Sequence, residues 1–442
     1  MGNTENMESD YRKFINSLDK IKIDSANKVF EISKILNDND KTTVNTLMIN
    51  DVGGYKVVGN LCTRENVAKS LNIKPNELMN HMIKAMENEP NGQLVLDEEL
   101  EKQYVDDDVK KITDYPIPTY YGEDAGPYLT SGIVIVKDKD EGVNASIHRI
   151  LVRPDGNLVI RMVEQRHLHY IYNKNIENMI KEGKDGVDVA IVIGVEPALL
   201  LAASTSGDVS FNELKYASAI MNKPIKTIKG KTVDLEIPEA EFIIEGKITN
   251  KNDDEGPFVD ITGTYDVIRK QPVIKITALR TKKDPIFHAL LPGGTEHKIL
   301  MGLPQEPRMF KGIRNTVPSV KNVALTEGGC CWLHAVVSID KKTQGDGKNA
   351  ILAALAAHPS LKHVVIVDDD IDIYNPIDVE YAIATRVQSA KDVIIVDGAK
   401  GSSLDPSADH KMKLTSKMGI DATMDLIKGK KEFVRAVIPD IK

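Results

Sequence analysis

The chain of 442 residues is longer than one hydrophobic core usually grows, so two or three domains are expected. Its composition, 41% hydrophobic and 28% charged with a net charge of −8 and no long basic block, excludes the usual footprint of a nucleic-acid binder and points to a small-molecule partner. Three cysteines, two of them the adjacent Cys330 and Cys331, are a poor disulfide framework and fit a cytoplasmic compartment. No apolar run reaches the ~18 residues of a membrane span, and MGNTENMESD lacks a signal core, so no membrane partner is expected.

Residues 1–115 read as an N-terminal α/β module: a polar helical start, strand-like TLMINDV and YKVVGNL, and a helix through NIKPNELMNHMIKAMEN with Pro75 near its first turn. The Pro-rich ITDYPIPTYYGEDAGPY resembles a linker. A strand-dominated central domain, 116–310, follows, with SGIVIVKD, ASIHRILVRP, NLVIRMVE, EAEFIIEGKI and PVIKITALR as its strands. Within it, VDVAIVIGVEPALLLAAS reads as a buried strand entering a helix, and Ala202, Ala203 and Thr205 lie where backbone carbonyls can face a site. Residues 311–442 form a third, α/β domain: HVVIVDDD, a helix opening at Asn375-Pro376, and DVIIVDG predict a parallel βαβ unit. There is no 20–50-residue repeat, no GxGxxG and no Walker A loop.

Five stretches carry residue types suited to chemistry. EGPFVD places Glu255 and Asp260 on either side of a Gly-Pro bend; positions five apart face opposite sides of a straight strand, so only the bend aims both inward. In NASIHR, strand alternation turns Asn144, Ser146 and His148 to one face and Ala145, Ile147 and Arg149 to the other. An arginine among apolar neighbours wants an anionic partner. RHLHY reads as a strand that places His167 and His169 on one face, and in NELKYASAI Glu213 opens a helix. Asn144, His167 and Glu213 together make an O, N, O set that suits Mn²⁺ or Mg²⁺. In SKMGIDAT, Lys417 can meet a phosphate or be a solvated charge at a helix end. Taken singly, these stretches are better explained as structural, as a bent loop, a snorkelling arginine, a histidine pair or a solvated lysine, and the helix-start acid is explained equally well that way.

In their order along the chain, NASIHR, RHL, GVEPALLLAAS, NEL, IPEAEFIIEG, EGPFVD, LTEGGCCWLHAVVSI, VVIVDDDIDIY, the ATR of VEYAIATRV, and SKMGIDAT resemble the UbiD family of decarboxylases over nearly the whole chain. The resemblance implies an N-terminal α/β module, a central split β-barrel of flavin-reductase type and a C-terminal α/β domain that mediates homo-oligomerisation as a dimer or higher assembly. It implies prenylated FMN as cofactor, supplied by a flavin prenyltransferase, and an Arg-Glu-Asp catalytic set at Arg149, Glu255 and Asp260. Asn144, His167 and Glu213 would hold the divalent metal at the cofactor phosphate, with Lys417 adding charge. Ile147, His148, Arg149 and Arg166 would line the flavin, and the Ala202, Ala203 and Thr205 segment would hold a monovalent cation, K⁺, through backbone oxygens. Two departures from the family pattern bear on substrate fit: Val259 where glycine is common, and His148 where some members have a small residue.

The cofactor would take up the electrons as the acid loses CO₂, and Asp260 would protonate the carbon left behind. GGCCW and HALLPGGTEH are most similar to archaeal members of the modified mevalonate pathway, which convert trans-anhydromevalonate 5-phosphate to isopentenyl phosphate; the lysines of LRTKKDPIFH offer an anion patch or a solvated charge cluster. The alternatives are an aromatic acid such as 4-hydroxybenzoate or a polyprenyl derivative as substrate, or a non-catalytic flavin-binding or assembly protein.

Overall fold

The computed structural model describes residues 8–436 and 438, apart from 165, 209 and 410. The chain is a mixed α/β protein whose residues divide into two compact units, Met1–Leu300 and Met301–Lys442.

The first unit is organised around a nine-stranded sheet in which every pairing is antiparallel. Its centre is the run of long or wholly apolar strands: Arg269–Lys282, Phe242–Glu255, Val187–Ile193 and Ile133–Asp138. VDVAIVI and IVIV alternate nothing polar inward because both of their faces are covered. Strand Gly142–Ile147 lies at one edge, and strand Ile150–Val152 lies next to the opposite edge strand, Tyr128–Leu129. Six strand spacings would separate them by roughly 29 Å in a flat sheet. Only His148 and Arg149 join them, a link of about 11 Å at most. The sheet must therefore curl until its two ends nearly meet, and register shifts in the Phe242–Glu255/Arg269–Lys282 pair, after Glu245 and Ile248, provide bending points. His148 and Arg149 sit on the seam.

A four-stranded sheet (Lys20–Ser25, Thr46–Val52, Tyr55–Gly59 and Ile286–His288) and a three-stranded one (Leu94–Leu96, Ile225–Lys229 and Glu236–Pro238) complete the unit. One continuous apolar core runs from Ile32 through Tyr115, Tyr128 and Ile191 to Leu291. The Pro-rich stretch expected as a linker is thus part of the interior: Tyr115, Ile117, Tyr120 and Tyr128 are all buried, because its aromatic and aliphatic side chains outweigh its turn residues.

RHLHY is not a strand. Residues His167–Lys181 form a helix whose apolar stripe, Leu168, Ile171, Tyr172 and Ile176, has the i, i+3, i+4, i+8 spacing that decides the matter. His167 and His169 therefore do not share a face, and His169 pairs instead with Asn173 one turn on.

The second unit holds a five-stranded sheet ordered Val320–Leu325, His334–Ile339, His363–Asp368, Leu414–Ala422, Val393–Lys400. The parallel crossover runs from His334–Ile339 through helix Asp346–Ala357 to His363–Asp368. The expected βαβ unit from HVVIVDDD to DVIIVDG does not form. Val393–Lys400 is an edge strand antiparallel to Leu414–Ala422, which inserts between the two, and its largely exposed residues match an edge. Lys417 consequently lies on a strand, not at a helix end.

Candidate active site

Strand Phe242–Glu255 delivers Glu255 to the seam, and Gly256, at φ 94°, turns the chain. A short hairpin, Phe258–Val259 paired with Tyr265–Asp266, then brings Asp260 back to the same place. Its turn is closed by Asp260 N–H to the Thr264 carbonyl and Gly263 N–H to the Asp260 carbonyl. Arg149 meets this bend from the seam. Its Nε donates to Glu255 Oε1 at 2.8 Å and its Nη2 to Oε2 at 2.8 Å, a bidentate pair with the carboxylate wholly buried. Nη1 reaches Asp260 Oδ2 at 3.5 Å and Nη2 also reaches Asp266 Oδ2 at 3.0 Å. The guanidinium lies 4.8 Å from the Phe258 ring centroid. Hydrogen bonds and attraction from Glu255 outweigh the cost of burial and hold its pKa above the usual arginine value. Asp260 is held more loosely: 25% of its side chain is exposed, and Oδ1 accepts from Ile261 N–H at 2.7 Å. The EGPFVD bend thus gathers Glu255 and Asp260 around one arginine. Val259 is buried in the hairpin across from Tyr265.

Other residues of this cluster escaped the sequence reading. Asp266 bridges Arg149 and Arg269. Tyr128 donates to Glu255 Oε1 at 3.3 Å while accepting Gly256 N–H. Asp124 accepts the amides of Tyr120 and Tyr121, and burial pushes its pKa up to about 6. His297 takes Gly293 N–H on Nδ1 at 3.0 Å, and a Cβ at Gly293 would lie 3.2 Å from the Asp260 carbonyl, so its ring is anchored beside the Asp260 turn. Asp266, six residues past Asp260 in TGTYD, carried a turn signal; the others come from segments whose proximity only the fold creates.

Along the edge strand, Asn144, Ser146 and His148 do form one face. His148 Nδ1 is 2.8 Å from the Arg161 carbonyl, which can only accept, so Nδ1 carries the proton and Nε2 accepts from the Ser146 hydroxyl at 2.9 Å. Burial lowers the His148 pKa to about 4, keeping the ring neutral. With its single proton committed there, Ser146 cannot also donate to Asn144 Oδ1, 3.2 Å away, and that oxygen keeps its acceptor capacity. Asn144 Nδ2 and Ala145 N–H both donate to Glu213, the buried first residue of helix Glu213–Met221. Among the described residues no Lys or Arg pairs with Glu213, and burial raises its pKa to about 8. A buried carboxylate without a cation beside a free amide oxygen fits a divalent ion of oxygen preference. His167 starts its helix half-buried; burial and Arg166 lower its pKa, leaving the neutral imidazole that ligates metals. Among the described residues no three His, Cys, Asp or Glu side chains group as a metal cluster.

Ile147 ends the edge strand, and Arg166 occupies the N-cap position of the His167 helix without a side-chain capping bond, its Nη1 donating instead to the Ser206 hydroxyl. Ala202 and Ala203 close helix Pro197–Ala203; the Ala202 carbonyl accepts Thr205 N–H, and the Thr205 hydroxyl donates to the Leu201 carbonyl. In the second unit Lys417 is buried, its ammonium donates to the Pro359 carbonyl, and burial lowers its pKa.

Family models for the N-terminal, Rift-related and C-terminal domains of 3-octaprenyl-4-hydroxybenzoate carboxy-lyase match residues 22–86, 95–295 and 298–422. The chain belongs to the UbiD family of carboxy-lyases. It is 60% identical over 429 residues to the anhydromevalonate phosphate decarboxylase of Methanocaldococcus jannaschii, covering 97% of this chain and 100% of that one. Among solved structures it resembles the UbiD-class enzyme HmfF from Pelotomaculum thermopropionicum in complex with FMN: TM-score 0.90, 36% identity, 97% of each chain. An evolved dimeric form of that enzyme in complex with prFMN gives a TM-score of 0.85 at 34% identity, again over 97% of each chain. Among the described residues no helix is long and apolar enough to cross a membrane.

Proposed function

We propose that this protein is a prenylated-FMN-dependent decarboxylase that converts trans-anhydromevalonate 5-phosphate to isopentenyl phosphate and CO₂. The observation that carries the reading is the Arg149 clamp on Glu255 and Asp260, in a chain 60% identical to an anhydromevalonate phosphate decarboxylase. Bound prenylated FMN supplies the electron sink that allows a carboxylate to leave as CO₂. Arg149, Ile147, His148 and Arg166 would line its ring system, and Asn144, His167 and Glu213 would hold the Mn²⁺ or Mg²⁺ that accompanies its phosphate. The carbonyls around Ala202, Ala203 and Thr205, at the negative end of a helix, would take a monovalent cation, K⁺.

The two acids have separate roles. Glu255, sealed from solvent and bonded at both oxygens, fixes Arg149. Asp260, partly exposed and loosely held, delivers a proton to the carbon that lost CO₂. The central sheet is a split barrel of flavin-reductase type, residues 1–115 and 311–442 are the flanking domains, and the latter mediates assembly into a homodimer or larger oligomer. The cytoplasm is its compartment, and a flavin prenyltransferase its cofactor source. The test is a substrate panel with reconstituted holoenzyme, following CO₂ release and product by mass spectrometry. Turnover of the phosphorylated allylic acid is expected; release of CO₂ from 4-hydroxybenzoate alone would replace the substrate, and release from neither would remove the decarboxylase reading.

A further inference from the structure

Arg161 belongs neither to the Arg149 clamp nor to the metal set, and its surroundings are costly for a cation. The amide of Arg161 donates to the carbonyl of Arg149 at 3.1 Å, continuing the ladder in which Ile150 pairs with Ile160. Directly opposed residues put their side chains on the same side of a sheet, so two guanidinium groups project together from the seam. Arg149 is neutralised by Glu255, Asp260 and Asp266, and Arg269 by Asp266. Arg161 is not. Its Nη1 donates to the Met162 carbonyl at 2.6 Å, and among the described residues no carboxylate is in ion-pair contact with it. The acids that offset it at longer range, Asp266 and Glu255, are already bonded to Arg149. Burial together with Arg269 and Arg149 lowers its pKa. A half-buried cation beside a second cation is retained at a cost unless an anion arrives to pair with it.

We propose that Arg161 binds the phosphate monoester of the substrate and so sets the preference for a phosphorylated acid, an inference that rests on the decarboxylase reading above. Guanidinium suits phosphate because its planar fork presents paired N–H donors to two oxygens at once. The main-chain carbonyl of Arg161 is fixed by His148 Nδ1–H, which gives a position where some relatives carry a small residue a role in holding this subsite. The cofactor phosphate is the other phosphate source, and the metal set at Asn144 and Glu213 already provides for it.

The experiment compares wild-type and Arg161→Gln holoenzymes, reconstituted with prenylated FMN, on trans-anhydromevalonate 5-phosphate and on the same acid without its phosphate, with flavin content read by absorbance and native mass spectrometry. The expected result is unchanged flavin content and a roughly 10- to 100-fold fall in the preference, measured as kcat/KM, for the phosphorylated over the unphosphorylated acid, carried mainly by KM. Arg161→Lys should recover part of it by keeping the charge while losing the fork. An unchanged preference in a wild-type-active Arg161→Gln enzyme would overturn the subsite and leave the decarboxylase reading standing. Loss of flavin from the variant would assign Arg161 to the cofactor phosphate instead and also overturn it. A wild-type holoenzyme that neither turns over the phosphorylated acid nor binds isopentenyl phosphate would remove the substrate reading, and the subsite with it. Should Arg161→Gln not fold, Arg161→Met and the Lys variant provide the same comparison.

Discussion

At the residue scale, the difference between Glu255 and Asp260 is a difference in how each is held. Asp260→Asn keeps the volume and can still accept Ile261 N–H, but it cannot give up a proton. Turnover should fall by about 10²-fold or more with flavin content and melting temperature close to wild type; retained turnover would exclude Asp260 as the donor. Glu255→Gln removes a buried charge partner from Arg149, leaving Asp266 and the long contact to Asp260. Activity and melting temperature should fall together, and a variant with lost activity but unchanged thermal unfolding would contradict the clamp. For the metal set, His167→Ala should give a folded protein that loses bound Mn²⁺ and cofactor in parallel, measured by elemental analysis and absorbance. Full occupancy of both would take His167 out of the set. Which of these residues sequence could reveal follows from their contacts. Glu255 and Asp260 share a bend visible in EGPFVD, whereas Tyr128, Asp124 and His297 reach the same place by packing alone.

At the scale of elements, the site depends on one turn and one seam. Gly256 has φ 94°, and an added Cβ would come within 3.2 Å of the Val267 carbonyl and 3.4 Å of Ile268 Cα. Backbone, not a flexible side chain, is what it would meet. Gly256→Ala should therefore cost about 1–3 kcal/mol and shift Glu255 relative to Arg149, lowering both melting temperature and turnover. An alanine variant with wild-type unfolding and rate would show the turn to be free of that constraint. The seam was not legible: nothing in NASIHRILV says that two residues join opposite ends of a sheet, because strand order is a long-range property. The His167 helix is legible only beyond the histidines themselves. Alternating histidines imitate a strand over five residues, but the apolar stripe from Leu168 to Ile176 needs a longer window to emerge. In the second unit, HVVIVDDD and DVIIVDG are both strands, as their apolar runs suggest. Their expected relation was wrong because the intervening partner, Leu414–Ala422, comes later in the chain.

At the scale of the whole molecule, folding traps a carboxyl group that the unfolded chain would ionise more readily. Asp124 lies in the stretch that looked like a tether and is instead drawn into the core by Tyr115, Tyr120 and Tyr128. Burial lifts its pKa from 3.8 to about 6, and one of its oxygens, Oδ1, is buried without a hydrogen-bond partner. The sign follows from linkage. Below about pH 4 the group is protonated in both states and its contribution is fully present; as pH rises toward 6 the unfolded chain ionises first, and the contribution is lost. Above that the penalty is constant. Asp124→Asn is neutral throughout and so escapes the loss. The melting temperature of the variant relative to wild type should rise by a few degrees between about pH 4.5 and 7 and then level off, whatever fixed offset the amide introduces. A difference that stays flat across this range, measured by calorimetry on the same cofactor-loaded preparations, would mean that Asp124 ionises alike in folded and unfolded chains. The Pro-rich segment would then have to admit water to its carboxyl group despite the buried tyrosines around it.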